Sequence, residues 1–176
     1  MDSFERETKE LKELIRQAEK TGEAAWVAGE KLSSIKDRGD YKDSHGTFAK
    51  YCQKEFNVFP STSNGYIKIF HAFKKEDISQ LLVTHLLVIS KLKSEEKRIS
   101  VVEILKDRPD VTQRALIGVV AMLDAKDYTN EPPGQIKKDV KKLLSDDRIE
   151  AEAQKQKKKT VQKYGKVLES DFLPDL

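Results

Sequence analysis

Apolar residues recur along this chain at three- and four-residue intervals and nowhere keep a sustained alternation. The pattern therefore predicts helices joined by short connections. Phe4, Leu11, Leu14, Ile15 and Ala18 mark a first helix that stops near Thr21-Gly22. Ala24, Ala25, Val27, Ala28, Leu32 and Ile35 form the stripe of a second, with Trp26 at its edge and Gly39 placed to end it. Asp40 to Gly46 reads as a loop. Thr47 is an N-cap for a short helix whose Phe48, Tyr51, Cys52 and Phe56 share one face. After Asn57-Val58-Phe59-Pro60, the cluster Ser61-Thr62-Ser63-Asn64 opens another helix, with Tyr66, Ile69, Phe70 and Phe73 inward.

The run from Ser79 to Leu92 is apolar nearly all round, which predicts one buried helix at the centre of the fold. Ser94-Glu95-Glu96 starts the next helix, which ends near Arg108 before Pro109. Thr112 caps a last core helix that turns Leu116, Val119, Val120 and Leu123 inward. Asp127 to Gly134 is turn-rich and reads as a linker. Beyond it, Ile136, Val140, Leu143 and Leu144 supply two amphipathic turns before the chain becomes densely charged. The expected organisation is a helical domain over 1–126, a linker over 127–134 and a basic C-terminal helix or tail over 135–176. The fold class is all-α: an orthogonal bundle of several helices with a charged extension.

Charge changes this picture. Residues 1–134 carry 22 Lys/Arg against 22 Asp/Glu, while residues 135–168 carry 11 against 5. The basic excess thus sits in one segment. With 36% charged and 38% hydrophobic residues, part of the chain has to be solvated helix or tail. The longest apolar run is too short and too polar to span a bilayer, the N-terminus has no signal-like apolar stretch, and a lone Cys52 fits a reducing compartment. A cytoplasmic protein is the expectation.

The segment Thr47 to Phe73 combines a short helix, a turn and a second helix that opens with small polar side chains. A helix-turn-helix uses this arrangement to bring N-terminal residues of its second helix to base edges in the major groove. Asn57 suits the turn because asparagine tolerates positive φ. Ser61, Thr62, Ser63 and Asn64 are the candidate base or phosphate contacts, with His71 later on the same helix. Lys50, Lys54, Lys68, Lys74 and Lys75 are candidate phosphate contacts, opposed from Thr47 to Lys75 by the single acid Glu55. Lys155, Lys157, Lys158 and Lys159 would add phosphate contacts without sequence information.

The stretch from Ala24 to Phe73, with its Thr-Phe-x-x-Tyr-Cys opening at Thr47, resembles helix-turn-helix regions of phage- and plasmid-borne bacterial proteins. Thr84–Leu92 and Val111–Val120 are similar to the helices that follow this unit in ParB-type partition proteins. Over residues 22–123 the resemblance implies sequence-specific duplex DNA binding by the helix beginning near Ser61. The sequence departs from that pattern in three ways. The turn from Asn57 to Asn64 reads about two residues longer than usual. No arginine occurs from Thr47 to Phe73, and the Gly-Glu-Arg-Arg nucleotide-binding signature is absent, so nucleotide hydrolysis does not carry over.

His45, His71, His85 and Cys52 have no metal-ligand spacing, and the carboxylate pairs Glu95-Glu96 and Asp146-Asp147 sit in polar surroundings unsuited to acid–base work. His85, in an apolar stretch, reads as a neutral core imidazole, and Cys52 as a small core hydrophobe. The sequence thus points away from an enzyme, a cofactor, a metal and a small-molecule substrate. Its leading reading is a double-stranded DNA-binding regulator or partition-like accessory protein of a mobile element. As a homodimer, such a reader would meet half-sites about one helical turn apart. The alternative is a helical protein-interaction module, such as a phage-encoded adaptor or inhibitor of a host factor. A purely structural role for the Thr47–Phe73 unit also stays open, because short helices pack at such angles by default.

Overall fold

Local capping sets most of the helix boundaries. The structure, a computed structural model, describes residues 3–145. Among them are ten helices: α1 (Ser3–Ala18), α2 (Gly22–Arg38), α3 (Lys42–His45), α4 (Phe48–Phe56), α5 (Pro60–Ala72), α6 (Lys75–Ile78), α7 (Val83–Ile89), α8 (Glu95–Lys106), α9 (Gln113–Ala125) and α10 (Gln135–Leu144). Thr21, Thr47, Ser94 and Thr112 each accept a first-turn amide, at 3.2, 3.2, 3.3 and 3.1 Å. Each such cap is worth about 1 kcal/mol. Gly39 ends α2 and Asn57 ends α4, both in the left-handed conformation (φ 77° and 56°). The all-α class is therefore as expected. No helix among the described residues is long and apolar enough to cross a membrane.

Two boundaries differ from the expectation. The loop from Asp40 to Gly46 contains the single turn α3. The helix expected over Ser79 to Leu92 is shorter: α7 covers only Val83–Ile89, and the separate turn α6 ends at Ile78, before the run begins. Within the gap, Leu81 accepts the Gly22 amide at 3.1 Å, so the chain there closes onto the start of α2. The price of this break is Leu82, which is 53% exposed. Helix α5 begins at Pro60, with Phe59 as its N-cap, within one residue of the expected start near Ser61. Proline suits that first position because its missing N–H would be unbonded there in any case.

Helix α2 is the spine of the core. It packs against α1 on one side and lies along α5 on another. The α2–α5 approach is close because Gly29 carries no side chain: a Cβ there would run into the Tyr66 backbone carbonyl and the Phe70 side chain. The two helices run antiparallel, since Trp26 Nε1 donates to the Phe73 carbonyl at 2.8 Å while Lys36 reaches Asn64 near the other end. Tyr51 holds α4 to the rest. It is fully buried against Phe4, Tyr41, His45 and Phe56, and its hydroxyl pairs with Thr8 at 3.0 Å. Burial pushes its phenol up to about 12.

Helix α10 joins the same core, buries Ile136 and Val140, and packs on α8 and α9. Side-chain contacts tie residues 127–134 to α10. Tyr128 donates to Asp139 at 2.9 Å, and the Lys126 ammonium bridges Asp139 at 2.8 Å and Glu131 at 3.2 Å. The segment beyond residue 145, with Lys155, Lys157, Lys158 and Lys159, lies outside the described residues.

Two stability measurements follow. Gly29→Ala should lower the urea-unfolding free energy by about 2–4 kcal/mol, because backbone rather than a flexible side-chain tip stands in the way. Glu30→Ala, one residue along on the exposed side, should change it by less than about 0.5 kcal/mol. Equal effects would contradict the close crossing. His85 is buried in α7, and desolvation lowers its basicity despite a backbone hydrogen bond with Val111. Its unfolded form therefore takes up a proton first as pH falls. Stability should be full above about pH 6.5 and decline below it, and His85→Gln should remove that decline. An unchanged slope in the variant would assign the effect elsewhere.

Candidate nucleic-acid interface

The second helix of the Thr47–Phe73 unit presents one polar face, and its burial pattern shows how. Ser63, Tyr66 and Ile69 are buried along α5, at three-residue steps that follow one side of the helix. The opposite side carries Ser61, Asn64, Lys68 and His71, all exposed. Their spacing of three, four and three residues keeps them on one strip. The connection into α5 is only Asn57-Val58-Phe59, three residues long, which corrects the expectation of a lengthened turn.

Ser63 does not belong to this face. It is 0% exposed, its hydroxyl donates to the Pro60 carbonyl at 3.1 Å, and it sits beside the Cys52 thiol. Its place among polar neighbours suggested a base or phosphate contact, but its position on the wheel puts it inward. Thr62 is half-buried. Burial pushes the Cys52 thiol up, as suits a core position.

Lys50 and Lys54 are exposed, yet the structure sets them apart from α5. Both lie two residues from Cys52, which is about 200° around the helix, and Cys52 faces Ser63 of α5. They therefore occupy the far side of α4. Lys74 is exposed just after α5, where it lines an open cavity of about 240 Å³ with His71, Phe73, Asp77, Arg98 and Ile99. Lys75 is tied to Glu23 of α2 at 3.0 Å. Of the ten candidates in this region, Ser61, Asn64, Lys68 and His71 are brought together, and the others flank or leave the face.

Two neighbours were not legible as site residues. Lys36 of α2 donates to Asn64 Oδ1 at 3.3 Å and stands 5.4 Å from the Phe48 ring centroid, so it joins α2, α4 and α5 at the surface. A helical wheel of α2 could have found it, since Lys36 lies seven residues, or two turns, beyond Gly29 on the strip that meets α5. Phe59, at the start of α5, is 70% exposed, the most open large apolar residue among those described.

The electrostatics of the face are mixed. Lys36 and Lys68 are its cations. His71 Nε2 pairs with Ser33 of α2 at 3.3 Å, and Glu30 and Asp37 lie one turn either side of Ser33 on the same strip. An acidic border thus runs along the α2 edge. No group of three or more His, Cys, Asp or Glu among the described residues is placed to hold a metal ion.

No family model matches the chain, and comparison with curated proteins and with solved structures finds no match.

Proposed function

We propose that this chain binds double-stranded DNA through a helix-turn-helix formed by α4 and α5, with α5 laid into the major groove. The observation that carries this reading is the single strip of Ser61, Asn64 and Lys68, exposed on a helix entered through a three-residue turn. Helix-turn-helix units use such a turn, and their second helix reads bases with short polar and basic side chains near its N-terminus. Asn64 offers amide hydrogen bonds, Ser61 a hydroxyl, and Lys68 a phosphate contact one turn further on. A role as regulator or partition-like accessory protein of a mobile element, acting as a homodimer on paired half-sites, accords with this site.

One observation favours a second reading. Phe59 stands exposed at the tip of the turn, where a protein partner could bury it as an anchor. A helical adaptor or inhibitor would use that residue with the polar face around it. A stoichiometric protein complex that Phe59→Ser abolishes, without DNA retention at about 0.1 M salt, would select this alternative.

The first test is fluorescence anisotropy with random-sequence duplex DNA at two salt concentrations. The full chain should bind and weaken steeply with salt. A 1–145 form, which keeps α10 in the core, should still bind. Lys68→Glu should weaken binding by about tenfold, through loss of one phosphate contact and addition of a like charge. Affinity that is indifferent to salt, or equal for the Lys68→Glu protein, would remove the support for α5. Binding by the full chain alone would shift the role to the basic C-terminal segment.

A further inference from the structure

The Lys36–Asn64 contact constrains more than the position of the two side chains. An ammonium group has donors and no acceptor, so the atom of Asn64 that meets it has to be the amide oxygen. With the Lys36 ammonium standing at Oδ1 and taking one of its lone pairs, the amide NH2 is the unobstructed part of Asn64. The Phe48 ring gives the ammonium a second hold, so Lys36 is anchored at this position from α4 as well as from α5.

We propose that Lys36 sets the base preference of the α5 face, by holding Asn64 as a donor so that the pair recognises the major-groove edge of guanine instead of adenine. The proposal rests on the reading of α5 as the groove-facing helix. A free asparagine recognises adenine in two directions, accepting from N6 and donating to N7. Here one of the two lone pairs of Oδ1 already accepts from Lys36, and the ammonium stands at that end of the amide. The adenine amino group would meet an ammonium, donor against donor. Guanine instead presents O6 and N7, both acceptors. The Asn64 amide serves one of them, and a remaining N–H of Lys36 serves the other. The pair thereby supplies the two-donor pattern that a single arginine provides elsewhere, in a unit with no arginine from Thr47 to Phe73. Lys36 acts as a positioning residue for Asn64 and as a second donor beside it.

The test is selection of bound duplexes from a random-sequence library with the full-length protein and three variants: Asn64→Ala, Lys36→Met and Lys36→Arg. The base position whose preference Asn64→Ala erases is the one Asn64 reads. The wild-type protein should enrich guanine there. Lys36→Met keeps an apolar stem over Phe48 but removes the ammonium, and should move the preference toward adenine by about fivefold or more. Lys36→Arg retains donors toward Oδ1 and should keep guanine. If Lys36→Met still selects guanine, or the wild-type protein selects adenine, the proposal is overturned while the groove reading stands. If no duplex is enriched, or Asn64→Ala selects the same sites as the wild-type protein, the groove reading falls and the proposal with it.

Discussion

The close passage of α2 along α5 at Gly29 decides which side of α5 meets solvent. Without a side chain at Gly29, the two backbones approach until the Tyr66 carbonyl sits where a Cβ would be. Tyr66 and Ile69 are then buried, and the rest of the helix follows by geometry: Ser63 turns inward, and Ser61, Asn64, Lys68 and His71 turn outward. The same antiparallel alignment brings Lys36 beside Asn64 and Ser33 beside His71. One small residue in α2 thus fixes the composition of a face on another helix, including the neighbours that tune it.

Two adjacent cations in α8 hold the far end of this arrangement. Lys97 donates to the Leu123 and Lys126 carbonyls, at 2.5 and 2.8 Å, and so closes the C-terminal end of α9. Arg98 donates to Ala72, the last residue of α5, and to Leu92 and Lys93 just past α7, at 3.1, 2.7 and 3.0 Å. Helix ends leave carbonyls without intrahelical partners, and the macrodipole places negative charge there. Consecutive cations on α8 satisfy several of these ends at once. A count of charges would assign such residues to a solvated face, whereas here they are joints between helices. Charge-assisted hydrogen bonds of this kind are worth about 1.5–3 kcal/mol each, well above a typical surface ion pair.

What was legible in the sequence follows from how local the cause was. Thr47, Thr112, Gly39 and Asn57 act within four residues of themselves, and each sets a boundary where the residue type predicts one. The late start of α7 was not legible, because a run that is apolar on all sides carries no phase from which its first turn can be read. It depends on Leu81 meeting Gly22, 59 positions earlier in the chain. Ser63 was misplaced for the related reason that residue type outweighed phase: among Ser61, Thr62 and Asn64 its polarity matched, but its wheel position belongs with Tyr66. Lys36 was missed because its site is made by an approach of two helices 28 residues apart. The contacts that tie residues 127–134 to α10 were likewise hidden, since Lys126, Tyr128 and Asp139 look like ordinary polar residues until α10 docks.

The charge balance of the α5 face bears on how it would recognise a duplex. Phosphate attraction scales with the number of cations that reach the backbone, and here Lys36 and Lys68 are set against Glu30 and Asp37 along the neighbouring edge. Such a surface gains little from non-specific attraction. Most of its affinity would have to come from hydrogen bonds and fit to base edges, terms that reward one sequence over another. The basic side chains of α10 stand elsewhere, because that helix packs on α8 and α9 rather than on α5. On the proposed reading, the α5 face would supply most of the discrimination and basic side chains elsewhere would add to the attraction. A chain that is neutral over residues 1–134 and basic after them has the charge distribution this division requires.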